Sequence, residues 1–302
     1  QKITIEPDTK PQAELPADNY FYTNILLNKI PGKWTSRMVI FSIFFVVGII
    51  QGLQAVVILD LQEKGATYDD QALFSISFYP YIFKIIQAPF IDTFYLFSVG
   101  KCKTYIVTSL IFLSVVLYGM APGIEATILP ANIVLLTCTW SFVTVIVVFA
   151  QIAGEMWIVK IFDEQDKGKG SMILDLGMGI GSFFSYNMFV PLNSVAWLNE
   201  NLYAKNHVTT PLITHAEMLL FIASCSLGVG IYVLVFVSER MSIENENPSF
   251  FRVLKSLPKF FTTPAIRKLL LMMASVKIIG VLFSESLTLK TLDAGISKTT
   301  LV

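Results

Sequence analysis

The stretch Val39-Ile-Phe-Ser-Ile-Phe-Phe-Val-Val-Gly-Ile-Ile-Gln-Gly-Leu-Gln-Ala-Val-Val-Ile-Leu59 decides what kind of chain this is. It carries no charged side chain, and its apolar residues form a block rather than the single stripe of a surface helix. A bilayer core about 30 Å thick takes roughly 20 helical residues to cross. Inside hydrocarbon a helix satisfies its own backbone hydrogen bonds, so such a run reads as a membrane span. Six further blocks follow at residues 73–91, 105–120, 132–153, 171–190, 218–237 and 269–289. The expectation is an all-α, polytopic membrane protein with about seven transmembrane helices. The third block is short, and the second and seventh contain lysines.

Composition agrees with that reading. Of 302 residues, 54% are hydrophobic and 15% charged, with a mean hydropathy of +0.64. A soluble domain carries nearer a quarter charged residues. The formal net charge is zero, so no basic surface argues for nucleic acid. Cys102, Cys138 and Cys225 form neither a CxxC nor a Cys/His cluster, which argues against a disulfide scaffold or a zinc site. His207 and His215 both fall in the fifth connection, so a histidine base or metal centre is not expected, and no cofactor motif is legible. The organisation divides into a polar N-terminal segment (1–38), a six-helix transmembrane repeat (39–237), an amphipathic inter-repeat linker (238–268) and the first helix of a second, incomplete repeat (269–302). Residues 195–202 read as a short interfacial helix, and 250–261 as a helix lying on the membrane surface.

Basic residues set the orientation. Sixteen Lys and Arg fall on the N-terminal segment and the second, fourth and sixth connections, against only Lys64 and Lys205 on the opposite side. The N-terminus is therefore expected on the cytosolic side, or the matrix side of a mitochondrial inner membrane. The expected location is an organellar membrane, endoplasmic reticulum or mitochondrial, with the lipid bilayer as the first partner.

Ionisable residues inside a span are costly and usually face a cavity or a partner. Lys84 sits mid-block, and Ala88 and Asp92 follow at spacings that share its helix face. One reading makes Lys84 a cation lining a path for an anionic solute. The other makes it half of a structural ion pair, or a lysine snorkelling to the interface. Pro80 and Pro89 flank it, and each removes a backbone donor and tends to kink a helix. Glu155 ends the fourth block as a buried or a boundary carboxylate, and Asp175 poses the same choice in the fifth. Gly177, Gly179 and Gly181 lack the strand and spacing of a phosphate loop and read instead as small residues permitting close helix packing. Lys277 and Glu285 share one face of the seventh block, near Lys290.

Tyr68-Asp-Asp-Gln-Ala-Leu-Phe-Ser75, then Tyr79-Pro80, Lys84, Ala88-Pro89 and Asp92, resembles the acetyl-coenzyme A transporters of the major facilitator superfamily. Those proteins show Tyr-x-Asp-Gln-Ala-Phe-Phe-Ser, Trp-Pro, Lys, Ala-Pro and Asp at this spacing. Bacterial muropeptide permeases share part of the pattern. The likeness continues at Gln51-Gly52, at Gln151 to Trp157, at Gly177 and Gly181, and at Lys277, Lys290 and Gly295. It departs where the family's Gly-Arg-Arg-Lys is Gly100-Lys101-Cys102-Lys103. It departs again in the fourth span, where Gln151-Ile-Ala-Gly-Glu-Met-Trp157 is one residue and one acid short. The resemblance implies half of a major-facilitator-type bundle, with Asp92, Lys101 and Lys103 as the loop motif. It also implies a substrate route along Gln51, Lys84, Gln151 and Glu155, with Lys277 and Lys290 drawing in an acetyl-CoA-like anion.

The family has about twelve spans and this chain stops after the seventh, and it opens on Gln1 rather than Met. Two functions therefore stand open. One is a solute transporter seen as a fragment or completed by a second chain. The other is a non-transporting accessory subunit of a larger organellar membrane complex. A membrane enzyme finds no catalytic constellation in the sequence.

Overall fold

The first block folds as α1 (Lys33–Glu63), a helix of 31 residues. A computed structural model of the chain describes residues 20–23, 33–96, 99–162, 167–203, 208–242, 250, 255 and 261–293. Most of the N-terminal segment, His207 and the bulk of the surface helix expected at 250–261 lie outside them.

The second block is not one helix. It runs as α2 (Tyr68–Ser75), a 3₁₀ turn (Ile76–Phe78), α3 (Tyr79–Ile82) and α4 (Lys84–Thr93). Thr67 and Asp70 start it with a reciprocal capping box, and the Thr67 bonds hold the Asp70 carboxyl below the usual carboxylate range. The ladder changes at Phe83, where ψ turns to 12° and the Ile86 amide bonds back to Phe83 rather than one residue further. Pro80 sits in the first turn of α3, where its missing N–H is tolerated, and Pro89 sits inside α4. At the break the Gln87 side-chain amide reaches the Pro80 carbonyl at 3.4 Å.

Beyond it come α5 (Lys101–Met120), α6 (Ile124–Thr127), α7 (Ile133–Ile161), α8 (Lys167–Phe183), α9 (Val190–Asn193), α10 (Val195–Asn201), α11 (His215–Phe236) and α12 (Pro264–Asp293). A π-helical stretch, Phe184–Phe189, joins α8 to α9. Among the described residues, five uninterrupted segments are long and apolar enough to cross a membrane, at Trp34–Glu63, Lys101–Thr127, Pro130–Ile161, Gly168–Asn193 and His215–Phe236. The third span is thus longer than the sequence block suggested. Residues 195–201 form the short helix expected there, while the seventh block is covered by α12, whose described side chains, Leu271 and Ile279 among them, are exposed apart from the half-buried Ile266. The chain is an all-α polytopic membrane protein. Its one described sheet is a four-residue pairing of β1 (Tyr20–Thr23) with β2 (Glu239–Ser242), antiparallel.

The core sits around α1 and α7. Ile43, Val47, Ile50, Val147, Trp140 and Trp157 are nearly inaccessible. In lipid there is little hydrophobic force between helices, so close backbone approach matters more. The α1–α8 contact shows this. A Cβ on Gly177 would lie 2.8 Å from the Phe41 carbonyl oxygen, and one on Gly181 only 2.3 Å from that of Phe45. Gly48 meets the Met178 backbone in the same way, whereas Gly179 points to open space. The Ser185 hydroxyl donates to the Ile49 carbonyl at 2.7 Å and that of Ser182 to Gly48 at 3.1 Å. On the other flank Gly230 closes on Leu110 and Ile111, and the Ser226 hydroxyl donates to the Leu110 carbonyl.

One end of the bundle is tied by Glu239, just past α11 and buried to 1% exposure. Its carboxylate accepts the backbone amides of Cys102 and Lys103, at 3.3 and 2.8 Å, and the Lys160 ammonium at 2.8 Å. Gly100, at φ +102°, lets the carboxylate approach, since a Cβ there would strike it at 2.6 Å.

The glycine contact has a direct test. Gly181→Leu should cost about 1–3 kcal/mol by overpacking, read as a drop of several degrees in apparent melting temperature in detergent. Gly179→Leu, of equal size on the open face, should leave it unchanged. Equal losses in both would refute the contact.

Candidate functional site

Lys84 opens α4 immediately after the break, and its ammonium turns inward to α7 rather than to the exposed neighbours Phe83 and Ile85. It pairs with Glu155 Oε1 at 2.5 Å. The same oxygen accepts the Gln151 side-chain amide at 3.2 Å, from one helical turn earlier on α7. Both charged side chains are about two-thirds shielded, at 28% and 38% exposure. Glu155 is therefore not a lone carboxylate.

From this pair a polar line extends across the helices. Tyr81, one turn before Lys84, directs its hydroxyl towards Gln51 of α1, without a well-formed hydrogen bond. Gln51 borders a groove of about 340 Å³ that continues over Ser182, Tyr186 and Asn187. Gln54 of α1 donates to the buried Ser77 hydroxyl at 2.7 Å. The side-chain carbonyls of Gln54, Gln71, Gln87 and Gln151 and the Tyr81 hydroxyl are shielded and lack a hydrogen-bond partner within the described residues. A polar atom in that state costs about 1–3 kcal/mol.

The other expected residues are not brought to this line. Asp92 is half-buried near the end of α4. Lys101 lies over the Tyr95 ring at 5.0 Å, and Lys103 is enclosed beside Glu239. Asp175 is exposed on α8. Lys290 is exposed on α12, and Lys277 is on the same helix, its side chain lying outside the description. Gly177 and Gly181 belong to the α1–α8 contact. Among the described residues no three His, Cys, Asp or Glu side chains are grouped to hold a metal ion.

His215 departs from expectation, being the first residue of α11 rather than part of a connection. The physical reason is a capping box, Thr214 with Glu217, that starts the helix there. The Thr-x-x-Glu spacing was the available signal. His215 meets Asp60 and Glu125, a cluster no local motif announces.

These features define a class: a helical membrane protein with an ion-paired polar line inside its spans. The chain belongs to the acetyl-coenzyme A transporter 1 family, whose model matches residues 37–253. It is 26% identical over 159 residues to an uncharacterized protein of Schizosaccharomyces pombe, covering 52% of this chain and 31% of that protein. It is 23% identical over 199 residues to an uncharacterized membrane protein of Saccharomyces cerevisiae, covering 60% and 35% respectively. The chain spans about a third of the length of the curated relatives it matches.

Removing one partner of a shielded ion pair leaves the other uncompensated. Lys84→Met and Glu155→Gln should each destabilise by on the order of 1–2 kcal/mol, reduced from a fully buried pair by partial exposure. The double variant should lose clearly less than the sum in thermal unfolding. Strict additivity would show that the two do not interact.

Proposed function

We propose that this chain forms part of the substrate path of a membrane transporter for an acetyl-coenzyme A-like organic anion. The observation that carries the reading is a lysine inside a span, at a helix break, whose charge is balanced by one carboxylate. Transporter sites are commonly built at discontinuous helices, where backbone and side chains face a cavity rather than lipid. An anion entering at Lys84 takes the place of Glu155. A pair of unit charges about 4 Å apart is worth roughly 4 kcal/mol at an effective dielectric near 20. A multiply charged phosphate competes well against a single carboxylate on that scale. Gln151 then retains Glu155, while Gln51 and Tyr81 supply neutral hydrogen bonds along the route.

In this reading residues 39–237 are one six-helix repeat of a major-facilitator-type bundle, 238–268 a linker and 269–302 the start of a second repeat. The surplus of Lys and Arg supports a cytosolic or matrix-side N-terminus in an organellar membrane. Lys277 and Lys290 would meet the anion in the complete protein.

The test is uptake of radiolabelled acetyl-coenzyme A into proteoliposomes holding the full reading frame. Uptake well above empty vesicles is expected, falling at least about tenfold in Lys84→Ala and partly recovering in Lys84→Arg, which restores the charge. Uptake no greater than in empty vesicles would refute the reading. Stoichiometric co-purification with a large assembly would then favour the accessory-subunit role.

A further inference from the structure

At the end of the bundle away from Glu239, three titratable side chains from three elements close on one another. Asp60 lies near the end of α1, Glu125 in α6 at the end of the third span, and His215 at the start of α11. His215 Nε2 is 2.6 Å from Asp60 Oδ2, and Nδ1 is 3.2 Å from Glu125 Oε1. The same Glu125 oxygen accepts the His215 backbone amide at 3.0 Å. The imidazole and Asp60 are buried, at 6% and 3% exposure, while Glu125 is half-exposed at 52%. Phe189 packs edge-on against the ring at 5.1 Å. Glu125 borders a cavity of about 470 Å³.

A neutral imidazole carries one N–H and one lone pair, and an ionised carboxylate only accepts. A neutral ring between two carboxylates therefore satisfies one and sets lone pair against lone pair at the other. The doubly bonded geometry requires one more proton, and two flanking carboxylates favour it on the ring as imidazolium.

Among the described residues, the charged partners bonded to the ring are Asp60 and Glu125. Just past α1, Lys64 donates to the Ile128 carbonyl at 2.8 Å, and Glu63 also lines the cavity. Glu217 of α11 is engaged at the Thr214 cap, and Asn193 and Ser194 at the end of α9 add neutral side chains to the cavity.

We propose that Asp60, Glu125 and His215 form a proton-binding site that fastens together the ends of the first, third and sixth spans. Loss of the proton breaks one of the two ring bonds and frees the half-exposed Glu125 towards the cavity. The bundle then holds this end closed only while the site is loaded. The site is independent of the Lys84 path and does not rest on it.

The chain has only two histidines, so His207→Gln leaves one imidazole to observe. In that chain, labelled with ¹⁵N-histidine and held in lipid nanodiscs, both ring nitrogens should give the protonated signature at pH 7.5. A free histidine is mostly neutral there. Adding Asp60→Asn should weaken proton binding at least about tenfold, a shift of about one pH unit in the titration. Should that variant fail to fold, Glu125→Gln, at the half-exposed partner, should shift the titration in the same direction. A ring already neutral at pH 7.5, or a titration unmoved in the folded variant, would overturn the proposal.

Discussion

A single buried carboxylate sets the level of the helix ends on which everything else is measured. Glu239 satisfies the first amides of α5 and the last lysine of α7 from a position just beyond α11. A carboxylate at a helix N-terminus gains about 0.3–1 kcal/mol from the macrodipole, and more when shielded. Stripping a partner from a buried pair costs about 3–5 kcal/mol. The tie therefore holds three spans in fixed register. Glu155 precedes Lys160 by five residues, a rise of about 7.5 Å along α7, so the depth of the Lys84 pair follows from this anchor.

The two other charged clusters then occupy distinct levels. Lys84 and Glu155 join the broken second segment to α7, among apolar side chains and orphaned amide oxygens. Asp60, Glu125 and His215 lie at the far end, where connecting segments meet. Each cluster joins elements distant in sequence, and each stitches helices that apolar contact alone would leave free to slide.

Much of the architecture was legible because bilayer thickness is a hard constraint, and apolar blocks of the required length announce themselves. The break in the second segment was half legible. Pro80 and Pro89 signalled a distortion, but its position at Phe83 depends on which carbonyls find other donors, and that is a tertiary matter. Lys84 and Glu155 stood out as charges in apolar surroundings, yet their pairing across 71 positions left no local trace. Glu239 reads as an ordinary loop acid, and its burial arises only from the convergence of three helix ends. By hydropathy alone His215 reads as a connection residue, although the Thr214-x-x-Glu217 spacing marks a helix start just before it. Gly177 and Gly181 could be separated from Gly179 only once α1 lay against α8.

The contrast between the α1–α8 contact and the broken second segment has a mechanical meaning. Where backbone touches backbone, no side chains remain to shear, and the two helices move as a single plank. The second segment has lost part of its ladder and gained a proline inside its last piece, so bending stiffness is lowest there. The break in that ladder is at Phe83, one residue from the half-buried cation. Mechanical compliance and charge thus share an address, and a force applied at either is felt by the other.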